Sequence, residues 1–292
     1  MELVQVGAKT YYIKNATNIG IYRTSEEGVY LIDSGNDKDA GKKVLKIIEE
    51  QGWKVEGIIS THSNADHIGG NEVIQNRTGA KVLANELELA FTEYPLLEPS
   101  FLYGGYPFKE LRGKFLMAKG SKCMPIEDNL PKGLSYFALP GHFFSMIGVA
   151  TDDGVYFLGD SVFSEETIKK YGVFFVYDVK GYLETLEFLK GLSGRFFIAS
   201  HVEAKENIDE LIEVNRKKVV EISELIHSHL SEPRCFEDIL KFVFEQYGLA
   251  MNETQYVLVG STVRSYLTYL KDEGRVEFYF EYNKMFWRQA KI

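Results

Sequence analysis

The feature of this 292-residue sequence that most constrains its fold is a series of acidic and imidazole side chains, each placed just beyond a short apolar run. Such runs are typical of buried strands. A loop at the end of a strand can direct its side chain into a cleft shared with neighbouring loops, so the series predicts one common site. Imidazole and carboxylate together are the ligand set for zinc, iron or manganese. The residues in these positions are Asp33, His62, His142, Asp160 and His201.

The first part of the chain alternates predicted strands with predicted helices. The buried strands Val29–Ile32 and Val55–Ser60 flank a helix over Asp37–Gln51, whose apolar residues fall on one face. A helix from about Asp66 to Thr78 then leads into the strand Lys81–Ala84. This order implies a sheet with helices packed against it.

A dense motif follows the second of these strands. It reads His62-Ser63-Asn64-Ala65-Asp66-His67, and this concentration of ligand-type side chains argues against a chance arrangement. The motif resembles the His-x-His-x-Asp-His signature of the metallo-β-lactamase superfamily, and of its glyoxalase II-like hydrolase domains. Further motifs of that family occur in the same order across about residues 1–205. They are Leu31-Ile32-Asp33-Ser34-Gly35, Pro140-Gly141-His142, Leu158-Gly159-Asp160-Ser161 and Ala199-Ser200-His201.

The resemblance implies a role for each of these residues. Asp160 would bridge two metal ions, and Asp66 would orient the attacking water while it binds metal. Asp33 would orient neighbouring ligands without binding metal itself; its alternative is a turn-forming role at a strand end. The first metal site would be held by His62, Asn64 and His142, and the second by Asp66, His67 and His201.

Asn64 departs from the signature, which has a histidine at this position. A neutral amide oxygen is a poorer ligand than an imidazole for a borderline transition metal. Three outcomes stay open: one ion at the second site, two ions with the first bound more weakly, or a single iron held by His62, His142 and Asp160. We expect zinc (one or two ions) at a complete second site and a variably occupied first site, with iron or manganese as alternative metals.

The resemblance also implies the reaction. In the hydrolytic members, a metal-bound hydroxide attacks its substrate at neutral pH. Here we expect a small ester, thioester or lactone-like molecule as substrate. The alternatives are a non-haem iron oxidoreductase of the same fold, an RNA-acting nuclease, and a metal-binding sensor without turnover.

The expected fold is α+β, an αββα sandwich of two mixed sheets with helices outside, over residues 1–205. Within it, residues 86–132 form an aromatic insertion, interpreted as a lid-like wall or as a helical excursion packed on the core. A connecting helix over 206–230 leads to residues 231–292, where the order helix, helix, hairpin resembles the winged-helix unit appended to some metallo-β-lactamase-like hydrolases. We interpret that unit as a packing or substrate-framing element.

Charge and composition limit the partners. The net charge is −9, which argues against a broad surface for nucleic acid or anionic membranes. Residues 231–292 carry eight basic and nine acidic side chains, too little positive charge to neutralise phosphates. The chain also lacks a secretion-signal pattern at its start and a long apolar run. We therefore expect a cytoplasmic protein with a small-molecule substrate and no membrane partner, with a homo-oligomer left open.

Overall fold

The computed structural model describes residues 1–291. Within that range, the largest sheet contains seven strands. These strands follow one another across the sheet in chain order. The first four pair antiparallel and the last four pair parallel, so the strand in the middle belongs to both kinds of pairing. They are β1 (Glu2–Gln5), β2 (Thr10–Lys14), β3 (Ile19–Arg23), β4 (Gly28–Ile32), β5 (Lys54–Ile59), β6 (Lys81–Ala84) and β7 (Cys123–Pro125).

A second sheet faces the first. It consists of β8 (Leu134–Ala138), β9 (Ile147–Thr151), β10 (Val155–Phe157) and β11 (Phe196–Ile198). In the described range the order across this sheet is β11-β10-β9-β8, with β10 and β11 parallel. Between the sheets, Tyr22, Ile32 and Ile59 of the first pack in one buried cluster with Val149 and Phe157 of the second. Burial of these apolar side chains joins the two sheets.

Helices cover the outer faces of both sheets. Val44 and Ile48 of the first helix pack with Ile74 of the third against the first sheet. The predicted α+β fold with two mixed sheets is confirmed. The helices are α1 (Lys38–Glu50), α2 (Ala65–Ile68), α3 (Asn71–Thr78), α4 (Glu86–Glu93), α5 (Leu97–Tyr103), α6 (Glu165–Tyr171), α7 (Val179–Lys190), α8 (Asp209–His229), α9 (Phe236–Gln246) and α10 (Glu253–Asp272). Within residues 1–291, none of them combines the length and the apolar character needed to cross a bilayer.

The single helix predicted from Asp66 to Thr78 is wrong, because the structure divides it into α2 and α3 at Gly69-Gly70. Both glycines lie against backbone of the loop after β4. A Cβ atom on Gly69 would lie 2.4 Å from the carbonyl carbon of Asn36, and one on Gly70 would lie 2.4 Å from the Ser34 carbonyl oxygen. The break therefore lets the chain pass close to this loop.

The insertion over residues 86–132 is helical over less than half of its length. It contains α4, α5 and a 3₁₀ turn over Lys109–Arg112, and then adds β7 to the edge of the first sheet. Phe91 and Leu111 are buried, as a helical excursion packed on the core would require, whereas Tyr94 and Phe115 are exposed. Its role as a lid stays a prediction.

The C-terminal part shares a core with the rest of the chain. It contains α9, α10 and a small antiparallel sheet of β12 (Arg234–Cys235), β13 (Val276–Glu281) and β14 (Lys284–Gln289). Val263 and Tyr266 of α10 belong to the same buried cluster as Tyr182 of α7 and Ile226 of α8. The expected order helix, helix, hairpin is present. Its identification as a winged helix and the boundaries at 205 and 231 stay predictions.

One buried amide joins the loop after β10 to α8, and we predict that its loss destabilises the fold. Asn215 accepts hydrogen bonds from the Phe163 N–H (3.1 Å) and the Tyr182 hydroxyl (3.0 Å), and donates to the Phe163 carbonyl (2.8 Å). Asn215→Leu leaves these groups unpaired, at about 1–3 kcal/mol for each buried group. We expect the free energy of unfolding, measured with urea, to fall by at least about 2 kcal/mol. Asn76→Leu, on the exposed side of α3, should change it by less than about 0.5 kcal/mol; equal losses would contradict this role.

Candidate metal centre

Asp160 lies at the centre of a cluster of imidazoles. Its Oδ1 is 3.3 Å from His67 Nε2, and its Oδ2 is 3.2 Å from His201 Nε2 and 3.6 Å from His142 Nε2. The His62 ring lies 3.9 Å from the His67 ring and 5.1 Å from the His142 ring, centroid to centroid. The structure thus brings together the four histidines and the aspartate that the sequence placed in the family motifs.

The sheets explain why these loops meet. Parallel neighbours end at the same edge of a sheet, so β4 and β5 deliver Asp33 and His62 side by side. In the second sheet, β10 and β11 are parallel and deliver Asp160 and His201 in the same way. The site therefore lies at one edge of the sandwich, where loops from both sheets meet.

Each imidazole is held through its Nδ1 atom. These partners are the Thr61 hydroxyl for His62 (3.1 Å), the Asp33 carboxylate for His67 (2.8 Å), the Phe175 carbonyl for His142 (3.0 Å) and the Ala16 carbonyl for His201 (2.8 Å). Because the Thr61 hydroxyl donates to Asp33, it accepts from His62. An Nδ1 atom that faces an acceptor carries the ring proton, so the neutral ring keeps its lone pair on Nε2. In their neutral forms, all four rings thus carry the free lone pair on Nε2.

Asp33 holds the motif in place from behind. Its backbone adopts a left-handed conformation with φ +62°, and its carboxylate is buried. Oδ1 accepts from the Thr61 N–H (2.7 Å), while Oδ2 accepts from the Thr61 hydroxyl (2.8 Å) and from His67 Nδ1 (2.8 Å). The carboxylate contacts the far side of the His67 ring, which is the placement expected of a residue that orients a ligand. That role stays a prediction.

Burial and charge act against each other in the cluster. Burial, reinforced by the nearby His67, lowers the pKa of His62 well below its ordinary value. Burial also acts to lower the pKa of His201, but Asp160 and Asp66 outweigh it and raise that pKa to about 9. For Asp160, burial acts to raise the pKa, and His201 and His67 overcome it and hold the pKa well below its usual range. The surroundings of Asp160 therefore favour an anionic carboxylate next to positive charge.

Unpaired buried atoms test whether these residues fit a metal ion. Within the described range, His62 Nε2, His67 Nε2 and Asp160 Oδ1 are buried and have no hydrogen-bond partner. Each such atom costs about 1–3 kcal/mol. Donor atoms of His62, His67 and Asp160 lie within 4.8 Å of one another, as do those of Asp66, His67 and His201. Imidazole nitrogen and carboxylate oxygen are ligands of divalent transition metals, so the residues present fit such an ion.

Asp66 lies at the mouth of the cluster. Its carboxylate Oδ2 is 3.6 Å from His67 Nε2 and 3.5 Å from His201 Nε2, and it accepts a hydrogen bond from the Thr17 hydroxyl at 2.9 Å. The side chain is 41% exposed, in contrast to the buried Asp160. Asp66 is thus in reach of both the cluster and the solvent.

Two buried glutamates that the sequence analysis missed border the motif. Glu88 accepts hydrogen bonds from the Ser63 N–H (2.9 Å) and the Ser145 N–H (2.8 Å), which ties the motif to the loop after His142. Glu98 accepts from Asn64 Nδ2 at 2.8 Å. Burial raises the pKa of both carboxyl groups. Both lie in the insertion and follow no ligand spacing, so the sequence offers little signal for them.

A cavity of about 200 Å³ opens beside the cluster. Its polar end is formed by side chains of the motifs and by Glu98. The apolar part includes Phe115 and Leu116 of the insertion, Phe163, Val173, Phe174 and Phe175 after β10, and Leu258 and Val259 of α10. Among the residues that line it, all within the described chain, none is a lysine or an arginine. The cavity is therefore apolar with an acidic and imidazole floor.

The match to a known family covers the part of the chain that forms this site. The model of the metallo-beta-lactamase superfamily matches residues 13–201, which contain every member of the cluster. The chain belongs to the metallo-beta-lactamase superfamily.

Two curated relatives match part of the chain. A UPF0173 metal-dependent hydrolase of Thermodesulfovibrio yellowstonii is 30% identical over 176 residues, which are 54% of this chain and 61% of that protein. A hydroxyacylglutathione hydrolase of Maricaulis maris is 28% identical over 122 residues, which are 41% of this chain and 39% of that protein. The matches thus span less than two thirds of the length of either relative.

A solved structure matches nearly the whole length. A metallo-beta-lactamase family protein from Thermus thermophilus aligns with a TM-score of 0.74 at 20% identity, and the match covers 96% of this chain and 99% of that one. Such coverage extends well beyond residue 205. Most of the C-terminal part is therefore included in the fold that the two proteins share.

We predict that Asp33 supports metal binding without contacting the ion. Asp33→Asn keeps the size and the left-handed preference of the side chain but offers an NH₂ group where an acceptor is needed. Loss of such a partner lowers metal affinity by about 10–100-fold, which equilibrium dialysis with Zn²⁺ would measure. Asp39→Asn, on the exposed face of α1, is the matched control. Unchanged affinity in the Asp33 variant would leave this carboxylate with only a turn-forming role.

Proposed function

We propose that this protein is a metal-dependent hydrolase of small, uncharged esters, thioesters or lactones. The observation that carries the proposal is the convergence of three imidazole Nε2 atoms, those of His67, His142 and His201, on the buried Asp160 carboxylate. The His62 ring packs beside them, and an apolar cavity lies next to the cluster. The names of the two curated relatives, a metal-dependent hydrolase and a hydroxyacylglutathione hydrolase, support a hydrolytic reaction.

The cluster offers ligands for two ions. His62 and His142 would hold the first, and Asp160 would be shared between both. Asp66, His67 and His201 would complete the second site, which has the full set of charged and imidazole donors. We propose zinc as the metal; iron and manganese accept the same donors, and elemental analysis of protein purified without added metal distinguishes them.

The reaction follows from the donors and the cavity. A bound divalent ion would lower the pKa of a coordinated water to about 7 and would stabilise negative charge on a substrate carbonyl oxygen. Asp66 lies at the mouth of the cluster, where its carboxylate can accept a proton from the attacking water and orient it. The hydrogen bond from Thr17 holds that carboxylate in place.

The lining of the cavity supports the substrate class. Phosphate and carboxylate groups are commonly bound by arginine and lysine, and neither residue lines the described cavity. Apolar walls favour an acyl group without charge. For the same reason a polynucleotide substrate is the weaker candidate, in agreement with the −9 net charge of the chain.

The role of the cluster predicts which substitutions abolish hydrolysis. His62→Ala removes a ligand and Asp66→Ala removes a ligand and proton acceptor, so each should lower kcat/KM for p-nitrophenyl esters, thioesters and lactones by at least about a hundredfold. His227→Ala, on α8 outside the cluster, should stay within about twofold. An active Asp66 variant beside an inactive His227 variant would place the site elsewhere. Metal binding without turnover of any such substrate would favour the sensor.

The cavity predicts a preference for uncharged acyl groups. We expect p-nitrophenyl butyrate to be hydrolysed with at least about tenfold higher kcat/KM than p-nitrophenyl hemisuccinate, which differs by an acyl carboxylate. Leu258→Lys adds a cation to the α10 wall of the cavity and should lower the ratio of the two kcat/KM values. Phe188→Lys, at an exposed position of α7, is the control and should leave it unchanged. A wild-type preference for the hemisuccinate would contradict the proposed substrate class.

A further inference from the structure

We propose that Glu98 is a positioning residue for the first metal site, and that it acts through Asn64. Its carboxyl group holds the Asn64 amide so that the carbonyl oxygen, and not the NH₂ group, faces the site. Asn64 then supplies an oxygen ligand where the family signature has an imidazole. This inference rests on the metal dependence proposed above and concerns how the first site is completed.

The contacts of Asn64 differ from those usual at its position. Asn64 is the residue before α2, where an asparagine side chain ordinarily accepts a hydrogen bond from the first turn of the helix. Here the side chain makes no such capping bond. Its Nδ2 instead donates to Glu98 Oε1 at 2.8 Å, and its Oδ1 lies 3.2 Å from His142 Nε2. The NH₂ end of the amide thus contacts Glu98, and the oxygen end faces the cluster.

When the His142 ring is neutral, neither atom in the contact between Asn64 Oδ1 and His142 Nε2 carries a proton. His142 Nδ1 donates to the Phe175 carbonyl, so the neutral ring has a lone pair on Nε2. Asn64 Oδ1 also presents lone pairs. Two acceptors at 3.2 Å repel each other unless a cation is shared between them. Atoms bound at about 2.0–2.1 Å to one tetrahedral ion lie about 3.4 Å apart, so this pair has the spacing of two ligands.

Glu98 decides which end of the amide faces His142. Its Oε1 accepts from Asn64 Nδ2 at 2.8 Å, so the Asn64 carbonyl oxygen is the end that faces His142. Glu98 is 5% exposed and lies on α5 of the insertion. Without this acceptor the Asn64 NH₂ group would lose its partner, and a buried polar group left unpaired is costly. Glu98 therefore favours the orientation that points the oxygen at the site.

The completed donor set has a chemical consequence. Two imidazoles, a carboxylate and an amide oxygen form a harder set of ligands than the three imidazoles and carboxylate of the signature. Carbonyl and carboxylate oxygens suit manganese better than imidazole does. The first site should therefore discriminate less strongly between zinc and manganese than a first site with the three imidazoles of the signature.

The test measures metal binding in single and double variants. Purified metal-free protein is titrated with Zn²⁺ and with Mn²⁺ by calorimetry, and His142→Ala identifies which binding event belongs to the first site. Glu98→Ala and Asn64→Ala should each lower first-site affinity by about 10–100-fold and leave the second site within about threefold. If Glu98 acts through Asn64, the double variant should bind no more weakly than Asn64→Ala alone.

Two further variants separate positioning from direct ligation and from misfolding. Glu98→Gln keeps a carbonyl oxygen that can accept from Asn64 Nδ2, so it should recover most of the affinity that Glu98→Ala loses. Glu110→Ala, at an exposed position of the same insertion, should change nothing. Thermal unfolding shows whether each variant is folded. If Glu98→Ala does not fold, Glu98→Met replaces it, because methionine fills a similar volume without a hydrogen-bond acceptor of comparable strength.

The outcomes distinguish this inference from the proposed function. Wild-type protein that binds no divalent metal would overturn both. Two ions in the wild type with first-site affinity unchanged in Glu98→Ala would overturn the inference alone, and so would a single ion that survives in His142→Ala. Losses that multiply in the double variant, or a Glu98→Gln variant as weak as Glu98→Ala, would make Glu98 a ligand in its own right.

Discussion

The buried carboxylate of Asp160 is the constraint on which the rest of the site depends. An isolated buried charge is costly, and removal of one partner from a buried pair leaves a penalty of about 3–5 kcal/mol. The chain meets this requirement with imidazoles from three other loops, two of them supported by backbone carbonyls and one by Asp33. These loops come from both sheets, so the charge of Asp160 is balanced only if the two sheets keep a fixed position relative to each other. The core between the sheets, which includes Ile32 and Phe157, fixes that position.

The same requirement explains the local structure of the motif. Asp33 fixes Thr61 and His67, and the Ser34 N–H donates to the His67 carbonyl at 2.8 Å. The chain can approach this loop so closely only where it has no side chain, which is why the helix after the motif is interrupted by Gly69-Gly70. The orientation of one imidazole is thus secured by a carboxylate, a backbone hydrogen bond and two glycines.

Much of this arrangement could be predicted from the sequence, since it depends on where strands end. Apolar runs followed by Asp33, His62 or Asp160 place these residues at loops, and parallel pairing brings such loops to one edge. The break at Gly69-Gly70 could not be predicted, because its cause is a contact with the loop after β4, distant in sequence. Glu98 likewise has no local sequence signature, because the role proposed for it depends on its contact with the Asn64 amide. The core shared by α7, α8 and α10 depends on packing between distant segments, which periodicity does not report.

In the proposed function, metal binding and substrate selection depend on different parts of the fold. The proposed ligand atoms belong to short loops on a rigid sandwich, where small displacements are resisted by packing. The cavity walls come from the insertion and from α10, which can change in shape without moving Asp160. Glu98 is the exception, because it belongs to the insertion and yet contacts Asn64 in the motif. A change in the insertion that displaces α5 would therefore alter the cavity wall and the proposed first metal site together, and selection for a new substrate would act on both.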